Sequence, residues 1–354
     1  MTTRKSVAGH ELGDFVVCTC EEQQYAAWDV IDAAVFRGEL DEWWKKFLRD
    51  VAAEERADEL ELDADESEIS AAAEAFRYEH DLITAEETEK WLADRALTFE
   101  DFSDYFTRQY YAGVLRDDVV AEEGGGYPSA PPELRQLFMA DLVFSGEFER
   151  ITTNLLWRLA ARCVERNPAA EVVAAEERRF FERTKFTRPK LANWLKKLGR
   201  DAEWFREMLI LEAAYRKRCE EVLVPQARQR ESIVARVPLT RVEAEVIELE
   251  SRDAAQEALF CLREDKMSME EVAAEARYPY RRVNFLLEDT PIETQQRVLS
   301  VAAGDTIGPT ARGDGFELCR VISKIEPQAD DPSVTSRIDQ RLLERHKECS
   351  YASL

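Results

Sequence analysis

The sequence predicts an α+β protein, with a mostly α-helical, duplicated N-terminal region followed by a small α/β domain and a C-terminal helix. Three observations lead to this fold class. From Trp28 onwards, long stretches repeat apolar residues at spacings of three and four, as amphipathic helices do. Two of these helical stretches share aromatic residues and breakers in the same order. The segment 239–327 alternates strand-like and helix-like patterns instead.

Breakers and charge runs divide the 354 residues into six predicted segments. They are an N-terminal arm at 1–21, a helical repeat at 22–120, a Gly/Pro linker at 121–132, a second helical repeat at 133–238, the α/β domain at 239–327 and a C-terminal helix or tail at 328–354. The linker reads AEEGGGYPSAPP and is the clearest boundary.

The first helical repeat has local start signals. Thr84 with Glu87 predicts a capping box, and Thr98 with Asp101 predicts an acidic variant of the same cap. Between two helical stretches, the acidic run EERADELELDADESE begins at Glu54. Because like charges repel, this run is expected to be a solvated loop or a frayed helix end.

The second repeat copies the first. The residues Val35, Phe36, Gly38 and Glu39 recur as Val143, Phe144, Gly146 and Glu147, and the residues Glu79, Thr84, Trp91, Leu92 and Phe102 recur as Glu182, Thr187, Trp194, Leu195 and Phe205. Aromatic anchors that recur in order predict an internal duplication of two helical units.

The α/β domain opens with VEAEVIEL, whose alternation predicts a strand, and continues with the helical run SRDAAQEALFCLRE. Ser268 and Glu271 then predict a capping box at the start of a second helix. An irregular segment, YPYRRVNFLLED, and a short helix follow. The segment 313–315 predicts a hairpin turn before an apolar strand. The order is strand, helix, helix, irregular segment, short helix, hairpin.

This order resembles the parvulin-type peptidyl-prolyl isomerase domain of the PpiC and SurA families. Met267–Ala273 match that family's "G-x-S-F-x-x-L-A" helix start. Its closing run is matched by Val301, Gly304, Gly308, Pro309, Gly315, Phe316 and Val321. The first helical repeat resembles the N-terminal helices of SurA-like chaperones. That resemblance implies a C-terminal helix returning to those helices, for which SRIDQRLLERHKEC is the candidate.

The resemblance does not extend to catalysis. The family's groove uses two histidines, whereas this chain has only His10, His80 and His346, all outside the domain. The positions that match the family's catalytic residues are Glu245 or Val246, Glu317, Arg312 and Thr294. We therefore expect no catalytic residue, no metal and no cofactor.

Peptide recognition remains a plausible use of such a domain. The residues expected to line its degenerate groove are Val246, Phe285, Leu287, Thr294, Arg312, Phe316, Glu317 and Leu318. The residues expected in a cleft between the helices are Trp43, Trp44, Tyr110 and Tyr111. For each aromatic residue, the alternative is ordinary core packing.

Composition limits the partners. The formal net charge of −24 argues against nucleic acid and favours a cationic peptide. No apolar segment of signal-peptide or membrane-helix type follows the first Met, so we expect a cytoplasmic protein without membrane insertion. Cys18 and Cys20 invite a metal or redox interpretation, but no matching ligand pair is present in the sequence. Reduced strand thiols are the favoured interpretation.

Three functions follow as hypotheses. The first is a parvulin- or SurA-like peptide-binding chaperone or accessory protein, without efficient isomerase activity, that assists maturation or export of a ribosomally made peptide or unfolded protein. The second is a slow prolyl isomerase. The third is a scaffold that docks a peptide-modifying enzyme or an exporter.

Overall fold

The protein divides into two compact units, Met1–Arg218 and Cys219–Leu354. The computed structural model describes residues 13–20, 22–116, 119, 126–313, 315–328 and 331–351. The start of the predicted arm, positions 121–125 of the predicted linker and the last three residues of the tail lie outside these ranges. The second unit begins before the predicted boundary at 239, because the helix Pro225–Val234 packs with the C-terminal helix of that unit.

The first unit is a hairpin followed by ten α-helices in the described ranges. Strand β1 is Val16–Cys20 and strand β2 is Gln23–Ala26. The first five helices are α1 Ala27–Arg37, α2 Asp41–Glu59, α3 Glu66–Glu79, α4 Ala85–Ala93 and α5 Phe99–Val114. The next five are α6 Pro132–Phe144, α7 Glu147–Val164, α8 Ala170–Thr184, α9 Arg188–Leu198 and α10 Ala202–Val222, whose last turn enters the second unit.

Backbone geometry is alike at equivalent positions of the two predicted copies. Gly38 and Gly146, which are equivalent in the two copies, end α1 and precede α7 in the left-handed region, with φ of 72° and 76°. Further along, Ala96 and Gly199 are also equivalent, and both have positive φ. Only glycine adopts this region without strain, so the recurring Gly-Glu element has a structural cause.

The two copies exchange their first helices. Phe36 of α1 packs on Phe180 and Phe205 of the second copy, with ring centroids 5.0 and 5.8 Å apart. Reciprocally, Phe144 of α6 lies 6.0 Å from Phe76 and 5.8 Å from Phe102 of the first copy. Each three-helix cluster is therefore completed by an aromatic ring from the other copy.

Helix starts follow the predicted caps. The Glu87 amide donates to the Thr84 hydroxyl at 3.2 Å and the Thr84 amide donates to the Glu87 carboxylate at 2.8 Å. The boxes at Thr98 and Ser268 form in the same way. The acidic run is mostly helical, since α2 continues to Glu59 and Asp65 caps α3 through bonds from two backbone amides. Only the few residues between these helices form a loop.

The second unit confirms the α+β class. Its elements are α11 Pro225–Val234, β3 Arg241–Leu249, α12 Arg252–Arg263, α13 Met269–Ala276, β4 Tyr280–Leu286, α14 Ile292–Ser300, β5 Thr306–Arg312, β6 Gly315–Ile325 and α15 Pro332–Tyr351. The strands form an antiparallel sheet in the order β4-β3-β6-β5.

Strand β4 corrects the sequence prediction of an irregular segment. It pairs with β3 from Tyr280↔Ile247 to Leu286↔Arg241. Two consecutive arginines, Arg281 and Arg282, interrupt the apolar alternation that would have indicated a strand. The backbone hydrogen bonds to β3 stabilise an edge strand that the side-chain pattern does not reveal.

The two faces of the sheet carry separate apolar clusters. Ile247 and Leu318 pack on one face against α12 and α13, including Met269. On the other face, Val242 and Val321 pack with Val298 of α14. Strand alternation produces this separation, because successive side chains point to opposite faces.

Helix α15 packs within its own unit. Val334 and Ile338 lie against Ala235 and Leu239, which directly follow α11, together with Leu286 at the end of β4. Arg228 on α11 holds Asp339 through two hydrogen bonds of 2.6 and 2.7 Å. The apolar face predicted for the C-terminal helix at Ile338 and Leu342 is thus used against α11, not as an exposed tail.

The exchanged rings should dominate the stability of the first unit. We expect Phe36→Ala and Phe144→Ala each to reduce its free energy of unfolding by about 3–5 kcal/mol, since each removes a buried ring that the neighbours cannot replace. All seven tryptophans precede residue 218. Tryptophan fluorescence during denaturant unfolding therefore reports this unit alone.

A control variant is Val164→Ala, because that side chain is 72% exposed. Its effect should stay within about 0.5 kcal/mol. If both Phe variants matched this control, the exchanged rings would not be needed to complete the two clusters.

Candidate functional site

A cavity of about 760 Å³ lies in the first unit between the β1–β2 hairpin, α1, α7 and α10. Its volume falls within the range of about 300–1,000 Å³ that is usual for ligand sites. Helix α1 belongs to the first copy, whereas α7 and α10 belong to the second. The cavity therefore depends on the exchange of first helices.

The floor of the cavity is apolar and its upper wall is aromatic. The floor residues, all less than a tenth exposed, are Ala33, Leu155, Leu159, Met208 and Leu211. Tyr25 from β2 and Trp204 from α10 stand above them, each half-buried. A large apolar side chain would be removed from water on this floor, which stabilises binding by about 25 cal/mol per Å² buried.

Charged groups of both signs surround this floor. The carboxylates among the lining residues are Glu22, Asp29, Glu203 and Glu207, and the guanidinium groups are Arg162, Arg166 and Arg200. Such a rim can hydrogen-bond to the backbone of a bound segment while the floor takes its side chains.

One side of the rim is fixed by a charge cluster. Arg200 donates from Nε to Asp32 at 2.7 Å and from Nη2 to Asp29 at 2.8 Å. Asp32 is 5% exposed, and burial raises its pKa to about 6 even though Arg200 acts in the opposite direction. Because Asp32 lies on α1 and Arg200 precedes α10, the pair joins the two copies beside the cavity.

The Tyr25 phenol stays protonated at neutral pH. Burial, and then the nearby Cys20, Cys18, Asp29 and Glu207, raise its pKa to about 12. The hydroxyl is thus a hydrogen-bond donor at the wall of the cavity.

A much smaller cavity lies at some of the equivalent positions in the other copy. It measures about 20 Å³ between α6, α2 and α5, and three of its lining residues, Phe47, Tyr105 and Asp141, are equivalent to residues of the large cavity. The residue matches given above relate positions in the two copies. By these matches, Ala33 corresponds to Asp141, Leu155 to Phe47, Met208 to Tyr105 and Leu211 to Arg108. At these positions the other copy has two larger aromatic rings and a buried ion pair, with Arg108 Nη2 2.6 Å from Asp141 Oδ1, whereas the counterpart of Leu159 is the smaller Val51.

In the second unit, the sheet face under α14 carries ions. Glu248 and Glu317 are directly opposite each other in the β3–β6 register. Arg281 lies 3.0 Å from the Glu248 carboxylate and 3.4 Å from that of Glu317, and Arg312 is also paired with Glu317. Burial raises the pKa of the neighbouring Cys319 to about 11, so its thiol is protonated at neutral pH.

The structure separates the eight predicted groove residues. Those on the α14 side are Val246, Phe285, Leu287, Thr294, Arg312 and Glu317. In contrast, Phe316 and Leu318 point to the other face and pack with the cluster under α12 and α13. They were assigned to the groove as apolar strand residues, but alternation along β6 places them away from Glu317.

The four aromatic residues predicted for a helical cleft have different positions. Trp44 is buried on Phe138 at 5.0 Å, and Tyr111 is buried with its hydroxyl donating to Leu62 O at 3.0 Å. Trp43 lines the smaller cavity, and Tyr110 packs on Tyr111. Trp44 and Tyr111 are therefore core residues, as the alternative allowed, and none of the four lines the large cavity.

Sequence reasoning missed the hairpin wall. It assigned residues 1–21 to an arm and placed Cys18 and Cys20 on a strand, where β1 lies, but it did not predict β2, whose four residues QQYA carry too short a pattern. Trp204, Met208 and Leu211 lie in the predicted second helical repeat, but no cavity was predicted beside them. Among the described residues, no group of three or more His, Cys, Asp or Glu side chains could hold a metal ion.

Comparisons with known proteins give structural neighbours only, and no protein-family model or curated protein sequence matches. The chain is similar to the peptidylprolyl isomerase PrsA of Bacillus anthracis, with 13% identity and a TM-score of 0.31 over 56% of this chain and 89% of that one. The foldase protein PrsA of Lactococcus lactis has 16% identity and a TM-score of 0.26 over 60% and 84% of the chains.

A third neighbour comes from the SurA-like chaperones PEB4 and Cj1289 of Campylobacter jejuni, with 10% identity and a TM-score of 0.21 over 59% of this chain and 83% of that one. In the part of the chain that the structure describes, no helix has the length and apolar character needed to cross a bilayer.

The Arg200 cluster should make stability depend on pH in a specific direction. Arg200→Met leaves Asp32 buried without its cation, so we expect a loss of about 3 kcal/mol in the free energy of unfolding at pH 8. Without Arg200 the folded-state pKa of Asp32 rises further above 6. The proton then bound at lower pH removes the buried charge, and the loss should shrink as the pH falls from 8 to 5.5.

Denaturant unfolding of both proteins at several pH values measures this difference. Arg56→Met is the control, because the Arg56–Glu59 pair is exposed on both sides and should contribute at most about 1 kcal/mol. A loss that stayed constant across this pH range would contradict the role given to Asp32.

Proposed function

We propose that the protein is a peptide-binding chaperone or accessory protein of the parvulin and SurA-like type, which holds an unfolded or precursor peptide without efficient prolyl isomerisation. The observation behind this proposal is the open cavity of the helical unit, with its apolar floor and charged rim. Such a site suits the alternating apolar and polar character of an unfolded segment.

The sequence resemblance and the fold of the second unit support the parvulin-like part of the proposal. The order of β3, α12, α13, α14 and the β5–β6 hairpin is the order predicted from the sequence patterns, with β4 added, and it is this order that resembles the parvulin domain. The four-stranded sheet brings the positions matched to the family's groove, Val246 and Glu317, to one face.

Weak or absent turnover is proposed because of the charges on that face. The barrier to peptide-bond rotation, about 18–20 kcal/mol, is lowered where a dry pocket fits the twisted amide. Glu317, paired with Arg281 and Arg312, places charged groups on the sheet face where that pocket would lie. Because these charged groups are partly exposed, they retain water, and the face does not offer a dry pocket. The matched positions supply no imidazole to replace them.

A cationic precursor peptide is the proposed substrate class. The chain carries a formal net charge of −24, which raises the local concentration of cationic segments. At the cavity rim, Glu203 and Glu207 are exposed on α10, whereas Asp29 is already paired with Arg200. The six described cysteines are in no disulfide, which suits the cytoplasmic location that we propose as part of this function.

The cavity can be tested by giving it the side chains found at the equivalent positions of the other copy. We expect Leu155→Phe with Met208→Tyr to weaken binding of a labelled, proline-containing unfolded peptide by more than about tenfold, because the rings occupy the floor. Fluorescence anisotropy measures binding, and exchange NMR of the same sample measures cis/trans isomerisation. The wild-type protein should bind without accelerating the exchange.

The matched control is the reverse replacement in the smaller cavity, Tyr105→Met, which should leave the peptide affinity unchanged. Binding unaffected by the double substitution would exclude the cavity as the site. Accelerated exchange would favour the isomerase hypothesis. If the wild-type protein neither bound the peptide nor accelerated its exchange, the docking-scaffold hypothesis would be favoured.

The substrate charge is tested at the rim. For a peptide rich in Lys and Arg, we expect Glu203→Lys with Glu207→Lys to raise the Kd about three- to tenfold, since it replaces attraction by repulsion. Glu74→Lys with Glu89→Lys changes the net charge equally at exposed positions away from the cavity. Equal effects of the two pairs would show that only the overall charge matters.

A further inference from the structure

Two thiols meet at the edge of the cavity. Cys20 ends strand β1 and Cys163 lies in the last turn of α7, and their Sγ atoms are 3.4 Å apart although 143 positions separate them in the chain. Both residues line the cavity. A side-chain movement that brings the two sulfur atoms from this distance to the S–S bonding distance of about 2.05 Å would join them.

The surroundings of two other thiols, Cys18 and Cys319, make them less reactive partners. Burial, followed by Asp29, raises the pKa of Cys18, which packs against the helical core. Burial also raises the pKa of Cys319 to about 11. Cys163 is exposed, so a small oxidant can reach it. Since the thiolate is the reacting form, access and a nearby second thiol favour the pair formed by Cys20 and Cys163.

We propose that Cys20 and Cys163 form a reversible disulfide by exchange with a small-molecule disulfide such as oxidised glutathione. The Cys163 thiolate attacks one sulfur of glutathione disulfide, and one glutathione leaves as its thiolate. The Cys20 thiolate then attacks Cys163 Sγ in the mixed disulfide and releases the second glutathione. The two cysteines lose two electrons and two protons, and two molecules of reduced glutathione receive them.

The bond would control the wall of the cavity. The hairpin is joined to α1 by backbone hydrogen bonds of 3.1 Å from Ala27 N to Phe15 O and from Trp28 N to Gly13 O. A Cys20–Cys163 bond would join its other end to α7, so that Tyr25 and Gln23 could no longer move away from the floor. This step depends on the proposed function, because it predicts slower exchange of bound peptide.

The first test is chemical and needs no peptide. The full-length protein is incubated with a glutathione redox buffer, the remaining thiols are blocked, and the protein is analysed by intact and peptide mass spectrometry. We expect a loss of two hydrogen atoms, one cross-linked peptide pair containing Cys20 and Cys163, and reversal by reduced glutathione. Cys163→Ser and Cys163→Ala should abolish the loss, whereas Cys18→Ser should retain it.

A bond that joined other cysteines, or glutathione adducts without an internal bond, would overturn the inference. Circular dichroism of each variant shows whether it has folded. The disulfide is mapped in the unsubstituted protein, and its loss is checked with two different substitutions at Cys163. The conclusion therefore does not depend on the folding of one variant.

The second test measures dissociation of the labelled unfolded peptide from reduced and oxidised protein. We expect several-fold slower dissociation after oxidation, and no change in Cys163→Ser treated in the same way. Equal dissociation rates despite a mapped Cys20–Cys163 bond would overturn the control of the cavity wall. Failure of the reduced protein to bind peptide would instead count against the proposed function, and the mapped bond would be unaffected.

Discussion

The reciprocal packing of Phe36 and Phe144 is the interaction on which the first unit depends. Each ring packs in the aromatic cluster of the opposite copy, so part of each three-helix cluster is buried by a residue of the other copy. An internal duplication that exchanges its first helix has the topology of a domain swap closed within one chain. The charges follow the same exchange, because Asp32 on α1 pairs with Arg200 of the second copy and Asp141 on α6 pairs with Arg108 of the first.

Much of this fold could be predicted from the sequence, and the exceptions have physical causes. Capping boxes and helical periodicity are local, and they identified the helix starts at Thr84, Thr98 and Ser268 correctly. Strand β4 was missed because its stability comes from pairing with β3, which lies far away in the sequence. The sequence also does not say whether Phe36 packs against its own copy or the other one. That depends on tertiary packing, and the recurring Val-Phe-x-Gly-Glu element is compatible with both arrangements.

The candidate site was harder to predict than the fold. The sheet positions matched to the family's groove mostly reached one face, because strand register follows from alternation and hairpin geometry. Phe316 and Leu318 did not, since being apolar does not say which face a strand residue occupies. The cavity itself leaves no motif, because it is formed by residues that are small or aliphatic where their counterparts are large. That information lies in the comparison of the two copies.

The difference between the two clefts is the strongest physical argument that the cavity has a use. Filling a cleft gains dispersion contacts, and an unfilled one forfeits them. At the equivalent positions the first copy carries the larger Phe47 and Tyr105 and the buried Arg108–Asp141 pair. In the second copy, Ala33, Leu155, Met208 and Leu211 line the large cavity.

The large cavity has shorter side chains at several positions where the other copy has aromatic rings or ions. It is also the one covered by the β1–β2 hairpin, which supplies Tyr25 and the thiol of Cys20 to its wall. The cavity thus has an apolar floor and a wall that the proposed Cys20–Cys163 disulfide could fix in place. A site that must hold a peptide segment and then release it would be expected to have this arrangement.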